Sequence, residues 1–282
     1  MNIGIVGLGL IGGSMAKAIK RYTEHTVIGW DKSESVRTNA KLIEAVDTFM
    51  ENGNPKDCDM VIIALYPGAT IAYVEEHQKN FGDNILVVDC AGVKQIVCEA
   101  VEPIAKANNF LFCGGHPMAG VEHSGLAFSK QDMFQGASMI LTPSKEMNPI
   151  LLEPLEGLLE EIGFARIQFS TPKEHDEMIA YTSQLAHVVS SAYVRSELSA
   201  KFMGFSAGSF KDMTRVAKLN EEMWTELFMD NDECLANEVE ELAQRLLEYS
   251  QCIRTGDSHT LKELLKEGKD IRIAIDHRKD FD

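Results

Sequence analysis

The sequence predicts an α/β protein, with a doubly wound sheet in its N-terminal part and an all-helical C-terminal part. Three observations carry this expectation. Short apolar runs alternate with helical patterns up to about residue 170, the rhythm of repeated βαβ units. A glycine-rich turn joins the first strand to the first helix. From Thr171 onward, strand runs and glycine turns give way to long periodic helices with few prolines.

Residues 1–31 organise the rest. Residues 2–6 read as a buried strand, and Gly7-Leu8-Gly9-Leu10-Ile11-Gly12 follows at once, leading into a helix over 13–21. This is the G-x-G-x-x-G fingerprint of a dinucleotide site between the strand and helix it requires. Gly7 permits the tight turn, Gly9 admits a pyrophosphate to the backbone and Gly12 brings helix against strand, with the helix N-terminus facing the phosphates. A second strand over 26–30 ends in Asp31, whose carboxylate can accept hydrogen bonds from an adenosine ribose and repels a 2′-phosphate. The expectation is a Rossmann-type domain that binds NAD in preference to NADP; the alternative is a glycine turn without cofactor.

The remaining elements follow in order. A helix is expected over 33–45 and a continuous apolar strand over 59–65, of the kind buried on both faces of a parallel sheet. Tyr66-Pro67-Gly68 breaks it, and a helix runs to about residue 80. Then come a strand over 85–88, a helix over 95–107 and a strand over 110–113, connected by right-handed crossovers. Strands over 138–141 and 165–169 flank a helix over 148–162 and close the first domain, 1–170. The second domain, 171–282, shows Met178, Tyr181, Leu185, Val188 and Ala192 at helical spacing. Leu235, Val239, Leu242, Leu246, Tyr249 and Ile253 repeat it, and Leu261, Leu264, Leu265, Ile271 and Ile275 do so more loosely. Such stripes are core seams rather than cofactor sites; these helices can bury each other within one subunit or across a dimer, and their extent predicts an isologous homodimer.

Composition bounds the function. A formal net charge of -16 argues against nucleic acid or an anionic membrane as partner. It also gives weight to any isolated Lys or Arg placed to hold an anionic ligand. No apolar run approaches the ~18 residues of a membrane span and no signal sequence precedes the first strand, so a cytoplasmic protein is expected. The six cysteines lack framework spacing and suit reduced thiols. Cys113-Gly-Gly-His116 could be half of a metal site, but no second half is present in the sequence and no metal is expected.

Three segments lie just after strand ends, where a nicotinamide would sit. In Leu65-Tyr66-Pro67-Gly68 the first two residues are candidates for cofactor contact. In Asp89-Cys-Ala-Gly92-Val-Lys94, Lys94 offers a positive charge near the pyrophosphate edge. Gly114-Gly-His116-Pro-Met-Ala-Gly120-Val-Glu122 holds His116 between glycines and a proline, in a loop at the mouth of the site. Neutral imidazole suits proton removal from a hydroxyl as hydride leaves the carbon. The other reading of His116 is a loop histidine bonded only to backbone.

These residues resemble a family. The N-terminal GLGLIGGS, the His116-Pro-Met-Ala-Gly120 loop with Glu122, Phe210-Lys-Asp-Met-Thr-Arg215 and Glu222-Met-Trp224 together look like the prephenate dehydrogenases of tyrosine biosynthesis, a group that includes arogenate and cyclohexadienyl dehydrogenases. The resemblance covers nearly the whole chain and implies NAD-dependent oxidative decarboxylation of prephenate to 4-hydroxyphenylpyruvate, CO2 and NADH. It also implies a helical C-terminal dimerisation domain. By position it makes His116 the acceptor of the ring-hydroxyl proton, Arg215 a ligand of a substrate carboxylate and His187 a pocket histidine. The plain alternatives are a surface ion pair for Arg215 and a satisfied core histidine for His187. Trp224 reads as packing.

The departures concern the substrate side. Gly92 stands where the family usually has a serine, Gln184 where it has a histidine and Val121 where it has a threonine. Gly92, Gln184 and Glu122 are thus candidates for contact with substrate. Two rival readings remain: an arogenate dehydrogenase, whose substrate ammonium would recruit a carboxylate such as that of Glu122, and a non-catalytic NAD-binding regulatory protein. The chain is expected to carry neither an appended ACT domain nor a chorismate mutase segment.

Overall fold

The structure is a computed structural model describing residues 1–121, 123–205 and 208–277, which fall into two compact units, Met1–Asp232 and Glu233–Asp282. The first is built on an eight-stranded sheet in the order β3-β2-β1-β4-β5-β6-β7-β8. Its strands are β1 (Asn2–Val6), β2 (Thr26–Trp30), β3 (Thr48–Phe49), β4 (Met60–Ile63), β5 (Leu86–Asp89), β6 (Leu111–Met118), β7 (Ser138–Pro143) and β8 (Arg166–Phe169). The first five helices are α1 (Leu10–Tyr22), α2 (Glu34–Leu42), α3 (Pro67–His77), α4 (Gln95–Ala107) and α5 (Glu153–Glu161).

Strand alternation explains why both faces are covered. Ile3, Ile5, Met60, Ile62, Leu86 and Val88 point into one core cluster with Met15 and Ile19 of α1. Val6, Val61, Ile63 and Val87 point into the opposite one with Val97 and Val101 of α4. A period of two with apolar residues on both sides is the mark of a doubly wound sheet. All pairings are parallel except β6 with β7.

Several boundaries differ from the sequence reading. The helix expected over 33–45 ends at Leu42, because Glu44 takes a positive φ of 54° and lets the Ala45 N–H return to the Ala40 carbonyl, 2.9 Å away. The short β3 was not foreseen. Part of the helix expected over 148–162 is a 3-10 turn, Pro149–Leu152, ahead of α5. The change that matters most is at β6. Expected to end at 113, it continues to Met118, so His116 lies in a strand and not in a loop, opposite Ile140 of β7. Beyond Cys113, β6 pairs only with β7, which is why Pro117, lacking an N–H, fits there.

The first unit continues with α6 (Pro172–Ile179), a π-turn (Ala180–Gln184), α7 (Leu185–Val194), α8 (Gly208–Thr214) and α9 (Glu221–Met229). A capping box starts α6, with Thr171 and Glu174 bonding to each other's backbone N–H groups. Its inward face within the subunit only partly coincides with the apolar stripe read from the sequence. Met178 and Tyr181 are exposed, whereas His175, Asp176, Ile179, Ala180, Gln184 and Leu185 are buried. Half of the residues turned inward are polar, Leu185 of the stripe is buried with them, and Met178 and Tyr181 face outward, where a second subunit could cover them; the π-turn shifts the phase within the helix. The second unit comprises most of α10 (Asp232–Thr255) and α11 (Ser258–Asp276), joined at Gly256, whose φ is 71°. Leu246, Leu247, Ile253, Leu265, Ile271 and Ile273 stand exposed on these helices. Among the described residues, no helix is long and apolar enough to cross a membrane.

Candidate active site

The glycine turn is built as its spacing requires. Gly7 takes φ 85°, and a Cβ added at Gly12 would fall 1.8 Å from the Gly7 carbonyl oxygen, so only glycine lets α1 close against β1. No atom lies within 4 Å of where a Gly9 Cβ would be, and the α1 N-terminus carries no side-chain cap. Open space at an uncapped helix N-terminus fits a pyrophosphate. Leu8, Leu10 and Ile11 complete the turn, and Leu65 lies against Gly7, 2.7 Å from an added Cβ. Tyr66, half exposed, precedes the first residue of α3.

Asp31 stands at the end of β2. Its Oδ2 accepts from the Leu8 N–H at 2.9 Å and its Oδ1 from the Ser33 N–H at 2.9 Å. Charge-assisted bonds of this kind contribute about 1.5–3 kcal/mol each. The first ties the carboxylate to the glycine turn and the second to the start of α2. The Arg37 guanidinium bonds the Asp31 carbonyl and lies over Trp30, 4.6 Å from the ring centre.

At the end of β5, Asp89 and Lys94 form an ion pair with no exposure on either side chain. Lys94 therefore does not present an open charge at the pyrophosphate edge. The Asp89 carboxylate also accepts from Ala91 N–H at 2.8 Å and Gly115 N–H at 3.0 Å, which offsets part of its desolvation. A Cβ on Gly115 would meet the Asp89 carbonyl oxygen at 2.5 Å, so glycine is what lets β6 approach this closely and sets the position of His116.

His116 is half-buried, and its Nδ1 lies 2.9 Å from Nε2 of His175. Nδ1 of His175 lies 2.6 Å from Oδ1 of Asp176, which also accepts from the Lys94 N–H at 2.7 Å; Oδ2 accepts from the Gln95 N–H at 2.8 Å. One carboxylate thus caps α4 and anchors both histidines. Burial, then the neighbouring His175 and Lys94, hold His116 well below the ordinary histidine pKa. Burial also lowers His175, against an opposing pull from Asp176. Both rings are neutral near pH 7.

The candidates for substrate contact lie around α7 and α9. His187 Nδ1 donates to the Val216 carbonyl at 3.1 Å and its ring packs on Trp224 with centroids 3.8 Å apart. Burial and the nearby Arg215 charge lower its pKa. Arg215 is exposed and opens the 3-10 turn Arg215–Ala217, so it and His187 are brought together. Gln184 is buried and turned toward protein. Its Nε2 donates to the Leu227 carbonyl at 2.9 Å and its Oε1 accepts from Asn231 at 2.8 Å. Gly92 faces Leu227, and the Gly68 N–H donates to Glu226 Oε1 at 2.9 Å, so α9 lies along the strand-end edge. Glu122 lies outside the described residues. Cys113 is buried, and among the described residues no group of three or more His, Cys, Asp or Glu could hold a metal.

The family model described as prephenate dehydrogenase, nucleotide-binding domain, matches residues 15–168, and that described as prephenate dehydrogenase, dimerization domain, matches 171–267. This chain belongs to the prephenate dehydrogenase family. Among its relatives, prephenate dehydrogenase of Bacillus subtilis is 29% identical over 98% of this chain and 76% of its own. The crystal structure of prephenate dehydrogenase from Aquifex aeolicus in complex with hydroxyphenyl propionate and NAD+ is 28% identical, covers 98% of both chains and superposes with TM-score 0.86. That of Synechocystis arogenate dehydrogenase is 26% identical, with 98% and 100% coverage and TM-score 0.83.

For this prephenate dehydrogenase family member, sequence reasoning missed His175, Asp176 and the two α9 residues Glu226 and Leu227. The signal at His175 was available: the Thr171 to Glu174 capping box fixes where α6 begins, hence which residues of its first turn face the sheet. Nothing local marks Leu227, whose place opposite Gly92 depends on tertiary packing.

Proposed function

We propose that this chain is an NAD-dependent prephenate dehydrogenase, which oxidises and decarboxylates prephenate to 4-hydroxyphenylpyruvate in tyrosine biosynthesis. The observation that carries this reading is His116, a neutral imidazole whose Nδ1 is held by His175 and whose Nε2 is left to meet a hydroxyl. Gly7, Leu8, Gly9, Leu10, Ile11, Gly12, Leu65 and Tyr66 hold the cofactor, and Asp31 binds the adenosine ribose. When bound, NAD supplies the acceptor for hydride from the carbinol carbon.

His116 takes the hydroxyl proton; burial, with His175 and Lys94 adding to it, keeps the ring neutral beforehand. Arg215 binds a substrate carboxylate with His187 beside it. Gly92 shapes the pocket wall, while Gln184 acts through α9. Oxidation gives a dienone, and loss of the ring carboxylate aromatises it, so alignment and one base supply most of what the reaction needs. The boundary lies at 170/171. The exposed apolar residues of α10 and α11, with the dimerisation description of 171–267, support a homodimer. The protein works in the cytoplasm on a small-molecule substrate.

Arogenate oxidation is the second reading, favoured by the full-length similarity to Synechocystis arogenate dehydrogenase. Steady-state assays with prephenate and arogenate in parallel, each with NAD and NADP, decide between them. Turnover of prephenate with NAD supports the first reading, turnover of arogenate alone the second, and turnover of neither overturns both.

A further inference from the structure

The buried side of His116 carries an inference that rests on the function just proposed. Oδ1 of Asp176 accepts the Lys94 backbone N–H and faces Nδ1 of His175 at 2.6 Å, so that nitrogen bears a proton. A neutral His175 then has a bare Nε2. Facing it at 2.9 Å, Nδ1 of His116 must be the donor, which leaves Nε2 of His116 as the acceptor. The hydrogen-bond chain therefore fixes the tautomer of the base.

The atom balance of the reaction adds a second step. A carbinol C–H, its hydroxyl and a ring carboxylate become a hydride equivalent, CO2 and a phenol, and no net proton is released. The proton leaving the hydroxyl as the carbon is oxidised is needed on the same oxygen when the departing CO2 leaves its electron pair in the ring. A store closed to solvent meets this need. We propose that His116, His175 and Asp176 are that store: Nε2 of His116 takes the hydroxyl proton, the Nδ1 proton of His116 passes to Nε2 of His175, and both return as the phenol forms.

The charges facing the chain favour inward transfer. Lys94, paired with Asp89, opposes a positive charge on both rings, but only His175 faces carboxylates that favour one, Asp176 by hydrogen bond and charge and Asp89 by charge. His175 and Asp176 are both buried, which separates the stored proton from water. They act through His116 and position it; neither touches the reacting atoms in this reading.

His175→Gln separates positioning from storage, because the glutamine carbonyl can accept from His116 Nδ1 but cannot carry a proton. In single turnover with NAD and prephenate, the full-length variant should lose roughly 10²-fold in rate with little change in KM. The solvent-deuterium proton inventory should change from bowed in the wild type to linear. A wild-type rate with a bowed inventory in His175→Gln overturns the store. Should the variant fold poorly, nitrogen NMR of the cofactor-free wild type decides: the His116 signals, identified by their loss in His116→Asn, should show the proton on Nδ1. A proton on Nε2 overturns the proposal. Absence of turnover in the wild type with every substrate strikes the proposed function instead, and the tautomer measurement still stands.

Discussion

A Cβ added at Gly92 would stand 3.3 Å from Cδ2 of Leu227, so in this chain an α9 leucine walls the position where the family usually has a serine. The distance is tight, and Gly92 does not have a positive φ, so packing rather than backbone strain decides a substitution there. Gly92→Ser should cost on the order of 1 kcal/mol of stability, as overpacking does, and Gly92→Ser in a Leu227→Ala background should lose most of that penalty. Urea denaturation of the four proteins checks the coupling. Equal stability of Gly92→Ser and wild type removes Leu227 as the wall.

Much of this was legible in the residues, and the gaps have physical causes. The glycine turn, Asp31 and the buried strands were readable because each rests on local chemistry: a positive φ, a strand end, a period of two. His116 was recognised, but its strand was not, because Gly114, Gly115 and Pro117 look like loop residues until β7 supplies an antiparallel partner. The proton chain lay out of reach because hydrophobic periodicity favours apolar stripes, and α6 turns His175 and Asp176 inward while Met178 faces out. Lys94 was read as open because nothing in its spacing announces burial against Asp89.

Cofactor choice should rest on Asp31, whose two oxygens are already fixed by Leu8 and Ser33. A fixed carboxylate meets a ribose diol without reorganising and opposes a phosphate at the same place. NAD should win in the wild type, and Asp31→Asn should raise the NADP to NAD ratio of kcat/KM by about tenfold, a change of roughly 1.4 kcal/mol in discrimination. Initial rates at subsaturating cofactor test this, and equal rates with both cofactors in the wild type would refute it.

Arg215 should act in binding. A carboxylate contact is present in ground state and transition state alike, so its loss raises KM more than it lowers kcat. Arg215→Ala should raise the KM for prephenate at least about tenfold, consistent with a charge-assisted hydrogen bond worth roughly 1.5–3 kcal/mol. An unchanged KM would place Arg215 outside the site.

Stability should fall on mild acidification. His116 and His175 are held neutral with lowered pKa values, while in the unfolded chain they titrate near the ordinary 6.5. Below that value the unfolded state binds protons that the folded state refuses, so their contribution is fully present above 6.5 and is lost as pH falls. Each group contributes a slope of at most about 1.4 kcal/mol per pH unit. Denaturation midpoints at fixed protein concentration should drop between about pH 7 and about pH 5.5, and the drop should shrink in a His116→Asn, His175→Gln double variant. A flat wild-type profile over that window contradicts burial of neutral rings.

His116 should act in the chemical step, since proton removal develops only as the carbon is oxidised and adds little to ground-state binding. His116→Asn keeps an amide able to donate to His175 Nε2, so the buried chain keeps its partner while the base is deleted. Loss of a general base typically costs roughly 10²- to 10⁴-fold, and kcat should fall by that much with a modest change in KM. The sequence alone places the acid limb near ~6.5, the ordinary histidine value. The structure moves it: burial, His175 and Lys94 all disfavour the imidazolium, so kcat/KM, which reports the free enzyme, should stay level through 6.5 and decline only at more acidic pH. A limb at or above 6.5 would mean that His116 is not held as the structure holds it. Near-normal kcat in His116→Asn would place the proton acceptor elsewhere. His187 is then the first residue to test, because its Nδ1 is already committed to the Val216 carbonyl and its second nitrogen is available for proton transfer.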